Sequence, residues 1–136
     1  MMVSSKGRYA MRLVIDLAQH TDAGKISLKE ISERQEVSLK YLESIASMLH
    51  KGGIIKSVRG KEGGYLLARP ASQISVQEIM SITEGSLAPV ACLEENGSPC
   101  GRSELCLTFP LWQKLDGIIE SYLSNVSIQD LIDRKI

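Results

Sequence analysis

The chain has 136 residues, and its 16 Lys+Arg balance 16 Asp+Glu, for a formal net charge of zero. That length suits one domain with a modest core, or a small domain with an oligomerising arm, and excludes two full domains. No run approaches the roughly 18 apolar residues of a membrane span, and the first residues carry no apolar stretch with a small-residue cleavage site, so a cytoplasmic protein is expected.

The zero balance hides a split. Residues 1–70 carry 12 Lys+Arg against 7 Asp+Glu, a balance of +5, whereas residues 71–136 carry 4 against 9, a balance of −5. Such asymmetry suggests a basic working half and an acidic remainder.

Ala10, Leu13, Val14, Leu17 and Ala18 recur at the spacing of one helix face, which predicts a helix over about residues 5–21, ended by Asp22-Ala23-Gly24. Ser27-Leu-Lys-Glu30 has the form of a capping box and opens a second helix to about Gln35. Ser38 can cap a third, with Leu39, Leu42, Ile45, Ala46 and Leu49 on one face and Lys40, Tyr41, Glu43 and Ser44 outside, stopped by Gly52-Gly53. Two short helices so joined describe a helix-turn-helix over residues 28–51, with the second helix poised for the major groove.

Ile54–Val58 and Tyr65–Ala68 read as strands around the glycine-rich Arg59-Gly60-Lys61-Glu62-Gly63-Gly64. A basic hairpin directly after a helix-turn-helix has the form of a wing, here residues 54–68, and Arg59 is suited to a narrow, electronegative minor groove. Ser75-Val-Gln-Glu78 is a second capping box, opening a helix over about 76–83. From about Thr108, the residues Leu111, Leu115, Ile118, Ile119, Tyr122 and Leu123 keep helical spacing, with Pro110 tolerated in the first turn. A long apolar stripe in so small a chain needs a partner, and an identical helix of a second subunit supplies one. Ser127-Ile-Gln-Asp130 caps a short last helix. Trp112 is expected to pack between the long helix and the preceding domain.

All three cysteines, Cys92, Cys100 and Cys106, fall between those helices in a loop containing Gly97, Pro99 and Gly101. An odd count argues against a closed disulfide framework, and such thiolates can converge on one metal centre. Zinc, a metal-free redox thiol pair and simple core filling are the competing readings. His20 and His50 read as ordinary surface histidines.

Taken together, Ser5-Lys6-Gly7-Arg8-Tyr9-Ala10, Ile31-Ser32-Glu33-Arg34-Gln35, Ser38-Leu39-Lys40-Tyr41-Leu42-Glu43, the wing from Ser57 to Leu66, and Cys106-Leu107-Thr108 with Leu111-Trp112 resemble the Rrf-type winged-helix bacterial regulators. That family includes IscR, NsrR and CymR, and the likeness covers nearly the whole chain. It is greatest toward the IscR branch. The resemblance implies a mainly α fold with a small β-hairpin wing. A winged helix-turn-helix domain over 1–84 would be followed by a cluster-binding loop over 85–107, then a dimerisation helix and C-terminal helix over 108–136. It further implies a homodimer on double-stranded promoter DNA. Lys6 and Arg8 would lie near the phosphates, Ser38, Lys40, Tyr41 and Glu43 on the recognition helix, and Arg59 and Gly60 at the minor groove.

In the IscR-like branch the cysteines hold a two-iron, two-sulfur cluster, which assigns Cys92, Cys100 and Cys106 as ligands by resemblance. The fourth ligand of that branch is a histidine three residues after the third cysteine, where this chain has Phe109. NsrR-like proteins use a carboxylate near the start of the partner's first helix, and the matching residue here is Arg8. Glu94, Glu95, Glu104, Asp16, His20, an exogenous thiol or water therefore stand open as the fourth ligand. The alternatives to an iron–sulfur sensing regulator are a nitric-oxide or redox sensor and a zinc-stabilised winged-helix interaction module. An enzyme has little support, since no phosphate-binding glycine motif and no sequence-adjacent Cys–His pair occurs.

Overall fold

The computed structural model describes residues 3–61, 63–94 and 104–136. Within them the chain forms α1 (Ser5–Gln19), α2 (Leu28–Gln35), α3 (Leu39–Lys51), β1 (Ile55–Val58), β2 (Gly64–Leu67), α4 (Val76–Glu84), α5 (Phe109–Ser124) and α6 (Ile128–Ile132). This is the mainly helical architecture with one antiparallel hairpin and a long C-terminal helix that the pattern implies.

Serine opens five of these helices for one physical reason. The first backbone N–H groups of a helix have no partner inside it, and a serine hydroxyl at the cap accepts from one of them. Ser4, Ser27, Ser38, Ser75 and Ser127 accept from Gly7, Glu30, Tyr41, Glu78 and Asp130 respectively. The reciprocal half of the box, an acidic side chain reaching back to the cap N–H, is formed by Glu78 and Asp130. At Ser27 the hydroxyl bond forms. α1 stops at Gln19, two residues short of the expectation, and the chain continues as a 3-10 turn over Thr21–Ala23.

Between α2 and α3 the turn is closed by Glu36 at φ 53°, and Val37 N–H donates to the Ser32 carbonyl at 3.2 Å. The left-handed conformation reverses the chain within a few residues, and the buried Val37 anchors it. Leu13, Val14 and Leu17 of α1, Ile31 of α2, Leu42, Ile45 and Leu49 of α3, and Ile79 and Met80 of α4 share one core with Ile54 and Ile55. β1 pairs with β2 from Ile55↔Leu67 to Val58↔Gly64.

The chain end belongs to the same core. Val76 N–H donates to Val126 O and Ile128 N–H to Ile74 O, each at 2.9 Å, so the segment after α5 runs back along the start of α4. Val126 and Ile128 are buried with the helices of the N-terminal half.

Candidate nucleic-acid interface and cysteine loop

α3 buries Leu42, Ile45, Ala46 and Leu49 and leaves Lys40, Glu43, Ser44 and Ser47 exposed. Ser38 is exposed, but its hydroxyl is engaged as the helix cap. Tyr41 differs from its neighbours. It is half-buried, its ring meets Tyr9 edge-to-face at 5.7 Å, and its hydroxyl shares a hydrogen bond with Ser5 at 3.3 Å. The T-shaped geometry sets the positive ring edge against the negative face of the other ring, and so fixes the start of α3 against α1.

A second clamp joins α1 to α2. Asp16 is 1% exposed, and its carboxylate accepts from Arg34 Nε at 3.0 Å, Arg34 Nη2 at 2.6 Å and Gln35 Nε2 at 3.0 Å. Burial pushes the Asp16 carboxyl up, but the hydrogen bonds from Arg34 and Gln35 and the charges of Arg34 and His20 outweigh it and hold the group below its ordinary value. His20 Nδ1 lies 2.7 Å from the Asp16 carbonyl oxygen and 3.5 Å from its carboxylate. Arg12 stacks over Tyr9 at 5.4 Å and donates to both the side chain and the carbonyl of Gln35. Of the two candidate ligands from the first helix, Asp16 is therefore engaged by α2, and His20 by Asp16 through Nδ1.

Arg59, Gly60 and Lys61 are exposed at the wing turn. The wing also has a short third arm. Ile26 and Tyr65 exchange both backbone hydrogen bonds, at 3.0 and 2.8 Å, and a side chain at Gly64 would meet Ile26 backbone at 2.9 Å. Close backbone approach is what glycine permits there. A Cβ on Gly60 would stand 2.5 Å from Lys25 Nζ, so that ammonium reaches the turn. Lys6 is half-buried, whereas Arg8 is exposed and borders an apolar groove with Met11, Met80 and Leu123.

Cys92 sits in the 3-10 turn Ala91–Leu93 and Cys106 just before α5, both half-buried; Cys106 Sγ lies 3.2 Å from Thr108 Oγ1. Cys100 and Glu95 lie outside the described residues. Among the described residues no three potential metal ligands converge. Glu94 and Glu104 are exposed on either side of residues 95–103, which lie outside the described residues. Phe109 opens α5 and is half-buried. α5 contributes no buried residue, with Leu111 57%, Ile118 56% and Tyr122 58% exposed. Trp112 is half-buried and lies outside the core cluster formed by the described residues.

The Asp16–Arg34–Gln35 clamp was missed by the sequence reading. Its one local signal is an acid at position 16 inside the apolar stripe of α1, between Val14 and Leu17. Among the described residues no helix is long and apolar enough to cross a membrane.

The Rrf2 family, described as an iron-dependent transcriptional regulator, matches residues 3–134. The chain is 42% identical over 132 residues to the HTH-type transcriptional regulator IscR of Xenorhabdus nematophila, covering 97% of this chain and 79% of that one. To the Escherichia coli regulator of the same name it is 40% identical over 135 residues, covering 99% and 82%. Among solved structures it is similar to CymR, the global cysteine regulator of B. subtilis, at 32% identity and TM-score 0.79, covering 98% of both chains. It is also similar to T. potens IscR at 35% identity and TM-score 0.75, covering 100% and 89%. These relatives are transcriptional regulators rather than enzymes. The chain belongs to the Rrf2 family of transcriptional regulators.

Proposed function

We propose that this DNA-binding regulator is a homodimer that recognises a promoter site in a sequence-specific way and responds to an iron–sulfur cluster held by Cys92, Cys100 and Cys106. The observation that carries the DNA reading is the division of α3. One face locks into the core through Leu42, Ile45 and Leu49, and the other presents Lys40 and Glu43 to solvent, followed at once by a basic wing. Lys40 suits phosphate, and the Glu43 carboxylate can accept from a cytosine amino group. Ser38 and Tyr41 complete the recognition set, Arg59 and Gly60 meet the minor groove, and Lys6 and Arg8 lie at the backbone.

The donor set supports a thiolate-bound cluster. Soft thiolates match iron–sulfur chemistry, and the two described cysteines of the loop, Cys92 and Cys106, are half-buried. When bound, a two-iron, two-sulfur cluster would supply an oxidation-labile centre. Phe109 offers no donor atom, Asp16 is engaged by Arg34 and Gln35, and His20 Nδ1 lies against Asp16. The fourth position is thus left to a loop carboxylate, Glu94, Glu95 or Glu104, to His20, or to a small exogenous ligand. The exposed α5 stripe supports a homodimer, because Leu111, Ile118 and Tyr122 on a helix with no buried residue need a second surface. A cytoplasmic location follows from the same reading.

Phe109 favours one second reading, a nitric-oxide or redox sensor with another cluster or with thiols alone. Iron and acid-labile sulfide assayed on anaerobically isolated protein, with its visible spectrum, separate the two. The cluster reading expects a brown protein whose colour is lost on Cys92→Ala or Cys106→Ala. Colourless protein with one zinc per chain, or rapid bleaching by nitric oxide with release of DNA, points to the alternatives.

A further inference from the structure

The basic character of the wing is not confined to the hairpin. Lys25 precedes the arm in which Ile26 exchanges two backbone hydrogen bonds with Tyr65 of β2. Ile26 is 2% exposed and turns into the core, and alternation along an extended segment turns Lys25 outward. Its Nζ would lie 2.5 Å from a Cβ placed on Gly60, so the ammonium rests over the glycine at the wing turn. Arg59 and Lys61 flank that glycine and are both exposed. Among the described residues none of these three cations makes an ion pair.

Lys25 held at Gly60, with Arg59 and Lys61 flanking that glycine and Glu62 outside the described residues, sets like charges near one another, and an arm tied by two backbone hydrogen bonds keeps Lys25 beside the turn. A polyanion relieves that repulsion, and duplex DNA presents one phosphate per strand about every 3.4 Å. We propose that Lys25 is a further DNA-contacting residue, which adds a phosphate contact from the α1–α2 connection beside the wing at Gly60. This rests on the reading of the wing as a DNA-contacting element. The contact is to backbone phosphate and so adds affinity without sequence preference.

The test uses the full-length protein and a mixed-sequence 30-base-pair duplex, with affinity followed by fluorescence anisotropy across a potassium chloride series. Each lost phosphate contact lowers the slope of log affinity against log salt by about 0.9. Lys25→Ala is expected to lower the slope by about that amount per protomer engaged. Lys25→Arg is expected to restore it, and Lys135→Gln, which removes one charge at the C-terminal end, to leave it unchanged. An unchanged slope in Lys25→Ala while Arg59→Ala lowers it overturns the inference and leaves the wing reading standing. Unchanged slopes in both variants overturn both. An equal fall in Lys135→Gln shows an effect of overall charge and also overturns the contact. Unaltered thermal melting of Lys25→Ala excludes a merely structural role, as an exposed side chain predicts.

Discussion

The carboxylate of Glu84, at the C-terminal end of α4, accepts two hydrogen bonds from Ser4 at the start of α1, from the backbone N–H at 3.0 Å and from the hydroxyl at 2.6 Å. The approach is close because residue 7 is glycine; a Cβ there would lie 2.3 Å from Glu84 Oε1. Gly85 then opens the cysteine loop, while Ser5 contacts Tyr41 on α3. The start of the loop and the start of α3 are thus joined through two adjacent serines.

Glu84→Ala removes both bonds while the Ser4 hydroxyl still caps Gly7. The expected loss is about 1–2 kcal/mol for charge-assisted bonds at a partly exposed site, or roughly 3–8 °C of melting temperature. If the link also transmits loop state, the variant should bind DNA with the same affinity before and after iron removal, whereas the unsubstituted protein should not. Equal melting curves for the two proteins would remove the energetic basis for this link.

Asp16 sets part of the acid stability. Its folded pKa is depressed, so its stabilising contribution is complete above the ordinary carboxylate value of 3.8 and is lost as pH falls through the lower folded value. Asp16→Asn should lower stability near neutral pH by about 2–3 kcal/mol, because Arg34 loses its carboxylate but is exposed enough to turn to water. It should also flatten the loss of stability on acidification below about pH 4. Some slope persists, since the Glu78 and Asp130 carboxyls are depressed as well. Urea titrations at pH 7, 5, 4 and 3 check both parts, and parallel curves for the two proteins would refute the assignment.

The features legible in the sequence were those set by neighbours along the chain. Ser75 with Glu78, and Leu42 with Ile45 and Leu49, act within one or two turns, so spacing reveals them. The features that escaped join distant residues. Asp16 meets Arg34 across 18 positions and Ser4 meets Glu84 across 80, and no periodicity marks either pair. Tyr41 stands among the outward positions of α3, yet the Tyr9 ring half-covers it, a tertiary event helical spacing does not encode. The thiols of the cysteine loop stand out by residue type, but an aperiodic loop says nothing of how they are arranged.

The exposed stripe of α5 makes assembly testable. Ile118→Glu puts a carboxylate at the centre of the proposed dimer face, where an unpaired charge costs more than the lost apolar contact. The helix-turn-helix core should be unaffected, because no α5 residue is buried in it. Sedimentation velocity should then show the mass of one chain for the variant and of two for the unsubstituted protein. Identical masses for the two would move the interface elsewhere.

Phe109 is the position at which the proposed cluster site can be changed by one residue. It opens α5 three residues after Cys106 and is half-buried, so a side chain of similar shape fits there. Phe109→His would add a nitrogen donor to the three thiolates and replace a labile fourth ligand with a fixed one. Imidazole is smaller than a phenyl ring, so the cost to folding should be slight, about 1 kcal/mol or less. The expected result is slower decay of visible absorbance when anaerobically isolated protein is exposed to air, at unchanged iron content per chain. Faster decay, or loss of iron at isolation, would mean that the fourth ligand comes from another direction and that the histidine competes with it.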